Sequence, residues 1–226
     1  MQKRESKDLL ETRRVKILLT AARLFVEQGY DNTGMRQIAE EAQVSLSLAN
    51  YHFGSKRKLG ILLIQGHLRA LEPYVVEFAG HDPRIMTGAW LRLNYVLMKQ
   101  PHLHKFYVDT LLNDIYLHAL AGSNIDQEEQ DSLTLSEMYW LLGDSYIPVS
   151  MERALVMCPF TDKLDMDVPD FIIRYFIYQL PGQGEPPHPP EWYVKECRLA
   201  VERILNKYPH LYNIFYKVPE IIAKSI

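Results

Sequence analysis

The N-terminal quarter of this sequence constrains the fold most, because its apolar residues recur at helical spacing and are interrupted at turn residues. The i, i+3, i+4, i+7 pattern of a helix that buries one stripe is carried by Val15, Leu18, Leu19, Ala22, Phe25 and Val26. Gly29 then supplies a helix stop. Two short helices are predicted over residues 35–42 and 46–53, and Ser45 is the expected N-cap of the second. The pattern predicts a helix-turn-helix packed on a longer first helix.

Charge is divided unevenly along the chain. Residues 1–69 carry twelve Lys and Arg against seven Asp and Glu, a net charge of +5, whereas residues 70–226 carry a net charge of -8. Ser55 is the expected cap of a fourth helix, and the first turn of that helix is Lys56-Arg57-Lys58, although a helix N-terminus favours acidic side chains. A phosphate group would make these cations favourable. The basic third therefore indicates an anionic partner, while a helical corner without any ligand remains the alternative.

Residues 21–59 also resemble the signature of the TetR family, from the end of its first helix into its fourth. The matching positions are Ala22, Phe25, Gly29, Tyr30, Thr33, Ile38, Ala39, Ala42, Val44, Ser45, Tyr51, His52, Phe53, Ser55, Lys56 and Leu59. The resemblance implies an all-α fold with an N-terminal three-helix helix-turn-helix domain over residues 1–55. A larger helical domain for ligand binding and dimerisation is expected over residues 56–226.

Three positions depart from that signature. Gly34 stands where the family usually has a capping Thr or Ser, so a hydroxyl that could reach a phosphate is missing. Gln43 replaces the usual turn glycine, and a non-glycine residue at positive φ costs about 1 kcal/mol if the same backbone is kept. Asn50 stands where Tyr is common. These departures concern the choice of binding site and leave the expected fold unchanged.

The resemblance implies double-stranded DNA as a partner and assigns roles to the residues around the third helix. The candidates for contacts with base edges are Leu46, Ser47, Asn50 and Tyr51, and an Asn side chain can form paired hydrogen bonds with adenine. The candidates for phosphate contacts are Thr33, Arg36, Tyr51, His52 and Lys56. For His52, packing of the ring at the helix end is the alternative.

The remaining two thirds are predicted to form further helices separated by prolines, with an extended loop over residues 180–190. Apolar residues surround the predicted helix over residues 168–180, and the helix that begins at Glu191 has an apolar stripe. Since the family commonly dimerises through a late pair of helices, we expect a homodimer whose two heads bind half-sites about one helical turn apart. The interface candidates are Phe171, Tyr175, Phe176, Val194, Val201 and Ile204. An intrachain core is the alternative.

The larger domain is rich in aromatic residues. Twelve of the fourteen Tyr and all three Trp (Trp90, Trp140 and Trp192) follow residue 69, which is compatible with a pocket for a small, mainly apolar or aromatic effector or with an ordinary core. The sequence does not identify the pocket residues. The family implies a regulator, most simply a repressor that the effector releases from DNA. The rival classes are a DNA-binding structural protein without an effector and a helical enzyme.

Several kinds of site are not expected. Neither Cys158 nor Cys197 has metal-ligand or redox-motif spacing, and the pairs His102/His104 and Asp114/His118 are weak metal candidates. No hydrolase elbow, phosphate-binding glycine loop or zinc-protease motif is present, so we expect no enzymatic activity, cofactor or metal. No apolar run has the length of a signal or membrane segment, so we expect a cytoplasmic protein with no membrane partner.

Overall fold

The computed structural model describes residues 2–120, 147–161, 163–179 and 186–224, and all regular secondary structure within these ranges is helical. The helices are α1 (Gln2–Gln28), α2 (Met35–Glu41), α3 (Leu46–Phe53), α4 (Lys56–Phe78), α5 (Pro83–Met98), α6 (His104–Leu112), α7 (Ile115–Leu120), α8 (Ile147–Val156), α9 (Val168–Tyr175), α10 (Pro190–Lys207) and α11 (Val218–Lys224). Two 3₁₀ helices, Ile177–Gln179 and Pro209–Lys217, follow α9 and α10. The predicted all-α fold is confirmed. Trp140 and residues 180–185 of the predicted loop lie outside the described residues.

Helix α1 buries one apolar stripe and ends at a glycine. The buried residues of the stripe are Ile17, Leu18, Ala21, Ala22, Leu24 and Phe25. Leu19 was predicted to belong to it but is 39% exposed, because one residue turns about 100° around a helix axis and carries Leu19 away from Leu18. Gly29 has φ of 92°, a conformation that glycine adopts without a Cβ clash. The predicted helix stop is therefore confirmed.

The turn between α2 and α3 keeps a glycine-like backbone at Gln43. The φ of Gln43 is 55°, so this residue carries the conformational cost anticipated for a non-glycine side chain, about 1 kcal/mol. Its amide oxygen accepts a hydrogen bond from Lys16 Nζ at 2.9 Å, which links the turn to α1. The predicted cap of α3 is confirmed, since Ser45 Oγ accepts a hydrogen bond from the Leu48 amide at 3.2 Å. Gly34 gives α2 no side-chain cap.

Helix α4 links the N-terminal helices to the rest of the chain. It begins after Ser55, whose Oγ accepts a hydrogen bond from the Lys58 amide at 3.2 Å. Its 23 residues span about 35 Å at 1.5 Å per residue, and the helix continues through Pro73. A Cβ on Gly66 would lie only 2.7 Å from Val218 Cγ1. Helix α11 therefore packs directly on the α4 backbone.

The main hydrophobic core is continuous across the predicted domain boundary between residues 55 and 56. It contains Phe25 and Phe53 from the first three helices together with Phe106 and Phe215 from the rest of the chain. The rings of Phe25 and Phe106 stack with centroids 5.7 Å apart, and those of Phe106 and Phe215 lie 5.2 Å apart. The division into residues 1–55 and 56–226 therefore coincides with no gap in the packing.

Helix α10 buries the apolar stripe that was predicted to form a dimer interface. Val194, Val201 and Ile204 are only 6%, 4% and 0% exposed, in core clusters that include residues of α4, α5 and α9. A Cβ on Gly88 of α5 would lie 2.6 Å from Cys197 Sγ, which shows how closely the two helices pack. The assignment of these three residues to an interface is therefore wrong. The intrachain alternative holds because neighbouring helices supply the apolar surface that covers the stripe.

Helix α9 is shorter than predicted, since it ends at Tyr175 and the chain continues as a 3₁₀ helix. Phe171 is half-buried and Tyr175 is 61% exposed, with ring centroids 4.7 Å apart. Phe176 is half-buried against the core cluster that contains Ile173 and Ile177. Tyr175 is thus the most exposed of the interface candidates, whereas Phe171 and Phe176 are both half-buried.

An ion-pair network joins α5, α9 and α10. Arg92 donates to Asp167 Oδ2 at 2.7 Å and also pairs with Asp170. Arg198 pairs with the same Asp170 carboxylate, which its Nε approaches at 3.2 Å. Asp170 is only 6% exposed, so two guanidinium groups converge on one buried carboxylate.

Candidate functional site

The outer face of α3 presents the polar and aromatic side chains predicted to contact base edges. Ser47, Asn50 and Tyr51 are exposed, and Tyr51 is the extreme case at 80%. The opposite face holds the helix in place, because Ala49 and Phe53 lie in the main core. A short helix fixed on one face and polar on the other is the geometry by which a recognition helix enters a major groove.

Leu46 and Ser47 stand at the N-terminal end of α3. Leu46 is half-buried against the main core, so only part of its side chain is available for an apolar contact such as a thymine methyl group. The hydroxyls of Ser45 and Ser47 lie 3.0 Å apart and can share a hydrogen bond. Leu46 is therefore the most restricted of the four base-contact candidates.

Arg36 and Thr33 were both predicted to contact phosphate, but they differ in how much of the side chain is exposed. Arg36 is exposed in the first turn of α2. Thr33 is only 2% exposed, and its hydroxyl donates to Gly29 O at 2.8 Å while its amide donates to Tyr30 O at 3.1 Å. Thr33 is therefore a correction to the predicted set, because its polar groups are buried and bonded within the turn that follows α1.

Lys56 is held at the start of α4 by contacts with Tyr30. Its Nζ donates to Tyr30 O at 3.0 Å and lies 4.1 Å from the centroid of the Tyr30 ring, a cation–π distance. An ammonium group has three donors, so this position leaves further donors for a phosphate oxygen. Lys56 is thereby positioned beside the loop that precedes α2 and Arg36.

His52 is packed between two aromatic neighbours. Its ring centroid lies 5.4 Å from that of Tyr51 and 6.1 Å from that of Phe53. Within the described residues its buried Nε2 has no hydrogen-bond partner, and burial, assisted by nearby Arg14, lowers the pKa of the imidazole. Burial therefore disfavours the charged imidazolium of His52, and its ring lies packed at the end of the helix, the alternative expected for this residue.

Arg57 ties the start of α4 to the corner between α6 and α7, within the body (residues 56–226) and next to the head (residues 1–55), a role that was not predicted from the sequence. Arg57 Nη1 donates to Asn113 O at 3.0 Å, and Nη2 lies 3.1 Å from His118 Nδ1. Asn113 Nδ2 in turn donates to Asp31 Oδ1 at 2.9 Å. The corner between α6 and α7 is thus hydrogen-bonded both to the first turn of α4 and to Asp31 of the head. The sequence carried no signal for it, because the partners lie more than fifty residues apart.

The body contains a cavity of about 400 Å³. Its walls come from α4, α5, α7, α8 and the 3₁₀ helix after α9, and the described residues that line it are Leu68, Arg69, Glu72, Val75, Val76, Met86, Thr87, Trp90, Leu91, Tyr116, Leu120, Pro148, Val149 and Ile177. Most are apolar, whereas Arg69 and Glu72 are exposed. The volume falls within the range of small-molecule sites.

A buried polar cluster borders this cavity. Tyr107, Tyr116 and Glu152 are each 0% exposed, and the Tyr107 hydroxyl donates to Glu152 Oε1. Burial raises the pKa of the Glu152 carboxyl to about 7, although the hydrogen bond from Tyr107 opposes that rise. Tyr116 belongs to both the cluster and the cavity wall. No sequence pattern marks this cluster, because its members come from three separate helices.

The weak metal candidates are not assembled into a site. Among the residues that the structure describes, no group of three or more His, Cys, Asp and Glu side chains is placed to hold a metal ion. His118 Nδ1 lies 2.6 Å from the carbonyl oxygen of Asp114, and the Asp114 carboxylate pairs with Arg153.

None of the described helices is sufficiently long and apolar to cross a bilayer.

Comparison with known proteins finds a family match over the head and the start of α4. The family model described as "Bacterial regulatory proteins, tetR family" matches residues 17–60. The HTH-type transcriptional regulator HbdR of Aromatoleum sp. (strain CIB) is 42% identical over 86 residues, which cover 36% of this chain and 38% of HbdR. The HTH-type transcriptional activator FasR of Mycolicibacterium smegmatis is 38% identical over 58 residues, 26% of each protein. The matches thus span well under half of these relatives.

Solved structures align with most of the chain at low similarity. A gamma-butyrolactone receptor (ArpA-like protein) is 16% identical with a TM-score of 0.39, and covers 86% of this chain and 98% of its own. A TetR-family regulator from Streptomyces coelicolor is 22% identical with a TM-score of 0.40, and covers 86% of this chain and 96% of its own.

Proposed function

Since this chain belongs to the TetR family of DNA-binding transcriptional regulators, we propose that it is a repressor that a small, mainly apolar or aromatic effector releases from its operator. In this proposal residues 1–55 bind DNA and residues 56–226 bind the effector and form a homodimer. The cavity of about 400 Å³ in the body, joined through α7 to the first turn of α4 beside the head, carries the proposal.

DNA binding is assigned to the exposed face of α3, with Arg36 and Lys56 as its phosphate contacts. Exposed Asn50 and Tyr51 read the groove. Phosphate contacts hold the head in register, and contacts with base edges select the sequence. Two heads in a homodimer address two half-sites about one helical turn apart. Phe171 and Tyr175 are the accessible aromatic residues proposed for the subunit contact.

Helix α7 supports the coupling between effector binding and DNA binding, because it lines the cavity and also contacts the first turn of α4. Tyr116 and Leu120 line the cavity, whereas His118 contacts Arg57 in the first turn of α4. Ile115 packs against α4 as well, since a Cβ on Gly60 would lie 3.2 Å from Ile115 Cδ1. A displacement of α7 by an effector would therefore act on the start of α4, next to Lys56.

The phosphate assignment is tested by replacing Arg36. We expect Arg36→Ala to weaken binding to every DNA sequence and to reduce the slope of log affinity against log salt by about 0.9, because one phosphate contact releases about that many counterions. Fluorescence titrations with labelled duplexes at several salt concentrations measure both quantities. The matched control is Lys195→Ala, which removes one exposed cation from α10 in the body and should leave the slope unchanged. Equal slopes for Arg36→Ala and the wild type would exclude this contact.

The effector is tested by a thermal-shift screen of apolar and aromatic compounds, followed by DNA titrations with each stabilising compound. We expect an effector to weaken DNA binding about 5- to 150-fold, since allosteric couplings are typically about 1–3 kcal/mol. By linkage, DNA should weaken effector binding by the same factor. If no stabilising compound changes DNA affinity, the protein is better described as a DNA-binding protein without an effector.

A promoter fusion tests the direction of regulation. The operator, selected from random DNA with the purified protein, is placed at a promoter that drives a reporter. Repression predicts lower reporter output in the presence of the protein and recovery when the effector is added. Higher output would instead make this chain an activator, as the name of FasR states for that relative.

A further inference from the structure

The buried polar cluster at the cavity wall contains hydrogen-bonding atoms without protein partners. Within the described ranges, neither the Tyr116 hydroxyl nor Glu152 Oε2 has a hydrogen-bond partner, although both atoms are buried. Tyr107 uses its hydroxyl to bind the other carboxyl oxygen, Oε1. Buried polar groups are normally paired, because an unpaired one costs free energy. The Tyr116 hydroxyl and Glu152 Oε2 therefore have hydrogen-bonding capacity that a ligand group could use.

Glu152 is a buried carboxyl group without a cation. Among the described residues no Lys, Arg or His forms an ion pair with it, and its neighbour Arg153 pairs with Asp114 instead. A buried carboxylate is strongly stabilised when a positive charge reaches it in surroundings of low dielectric constant. The cluster consequently combines an unused negative charge with the unpaired hydroxyl of Tyr116.

This cluster adjoins the apolar cavity on two sides. Tyr116 lines the cavity and interacts electrostatically with Glu152. Val149, which also lines the cavity, lies three residues before Glu152 on α8 and therefore on the same helix face. Glu152 thus lies next to the part of the cavity wall that Tyr116 and Val149 form.

Building on the effector role proposed above, we infer that the effector is a lipophilic amine. Its apolar body fills the cavity, and its protonated nitrogen displaces Tyr116 to pair with Glu152. A carboxylate ligand of the same shape would place a second negative charge beside Glu152 and is rejected. An alcohol of the same shape hydrogen-bonds without charge and binds more weakly than the amine. Because Tyr116 belongs to α7, its displacement acts on the helix that contacts Arg57.

The helices packed against α8 contribute few groups that interact with the carboxyl. Their titratable residues are His104, Lys105, Tyr107 and Asp109 of α6, Tyr116 and His118 of α7, and Asp170, Arg174 and Tyr175 of α9. Tyr107 and Tyr116, together with Tyr95 of α5, interact with Glu152, and burial raises the pKa of all three phenols above the ordinary tyrosine value. These phenols stay neutral between pH 6 and 8, so among the groups that interact with Glu152 they add no change of charge in that range.

The test compares three probes with the same apolar body: phenylbutylamine, phenylbutanol and phenylbutyrate. Isothermal titration calorimetry of the full chain at pH 8 should rank them amine, alcohol and carboxylate, with the amine about tenfold tighter than the alcohol, the equivalent of one favourable buried charge pair. In Glu152→Gln the amine should lose this advantage while the alcohol keeps its affinity. Tyr116→Phe, which removes only the hydroxyl of the displaced side chain, should leave the preference for the amine over the alcohol in place.

The pH profile provides a readout in the wild-type protein that needs no variant. With the Glu152 pKa at about 7, the ionised fraction rises from roughly a tenth at pH 6 to roughly nine tenths at pH 8, so the affinity for the amine should rise about tenfold. The affinity for the alcohol should stay constant over the same range.

Three results would overturn the inference. If the carboxylate binds as tightly as the amine, or if the preference for the amine persists in Glu152→Gln, the effector is not an amine that pairs with Glu152. The cavity would still be an effector site in either case. Failure of all three probes to bind overturns the cavity as an effector site and this inference with it. If Glu152→Gln fails to fold, the ranking and the pH profile of the wild type decide the outcome.

Discussion

Asp170→Ala should lower the free energy of unfolding by about 3–5 kcal/mol, the cost of removing one partner from a buried ion pair. Asp170 is 6% exposed and accepts from both Arg92 and Arg198. The Arg92 side chain is only 12% exposed. Without Asp170, its buried guanidinium group would pair with one carboxylate, that of Asp167, instead of two. The loss would loosen α9 from both α5 and α10. Urea denaturation followed by circular dichroism measures the change at one fixed protein concentration, since dimerisation contributes to apparent stability.

A surface ion pair in the same region provides the control for Asp170. Arg174 and Glu191 lie 3.4 Å apart and also connect α9 with α10, but their side chains are 35% and 69% exposed. Glu191→Ala should cost no more than about 1 kcal/mol, because water screens an exposed pair. Comparable losses in the two variants would mean that the burial of Asp170 is not the source of its effect.

Glu152→Gln should stabilise the protein at pH 8 by on the order of 3 kcal/mol and have little effect at pH 4.5 or below. The folded protein holds the pKa of Glu152 at about 7, against 4.5 for an ordinary glutamate, and each pKa unit corresponds to about 1.4 kcal/mol. Because the folded state binds the proton more tightly, this group lowers stability as the pH rises from 4.5 to 7 and changes it no further above 7. Glutamine retains an oxygen that can accept from Tyr107 and carries no charge.

The measurement for Glu152 is a series of urea denaturations of the wild type and the variant at pH 5, 6, 7 and 8. The two stability curves should converge at the acidic end and separate progressively towards pH 8. Glu191→Gln, which alters an exposed glutamate, should follow the wild-type curve throughout. Parallel curves for Glu152→Gln and the wild type would show that Glu152 is ionised in the folded protein at low pH, as an ordinary glutamate would be.

Local sequence determined the architecture of the head. The end of α1 at Gly29, the cap of α3 at Ser45 and the cap of α4 at Ser55 each depend on one residue and its immediate neighbours. Such features can be predicted because their physical causes act over a few residues: the conformational freedom of glycine, and a hydroxyl that accepts from an amide three positions later. The positive φ of Gln43 was expected only through the family resemblance, because a glutamine by itself gives no local signal for that conformation.

Tertiary structure decided which predicted side chains remain available for binding. Thr33 lies only three residues before Arg36, yet its side chain is buried. Its hydroxyl donates to Gly29 O and its amide donates to Tyr30 O. Three basic residues begin α4, but Arg57 turns towards Asn113 and His118 in the body while Lys56 is held by Tyr30. The sequence shows the charge of a side chain, whereas only the packed fold determines which group that side chain binds.

The apolar stripe of α10 shows the same difference between what the sequence determines and what the tertiary structure decides. The sequence by itself determined that α10 is a helix with one apolar stripe, because the spacing of Val194, Val201 and Ile204 fixes the face on which they lie. Only the tertiary structure decided that α5 and α9 of the same chain cover this stripe. The cavity and the cluster at Glu152 were likewise beyond the sequence, since an apolar stripe or a lone glutamate specifies burial or charge without specifying the surface that it meets. Those surfaces come from helices distant along the chain, and their approach is set by the packing of the whole core.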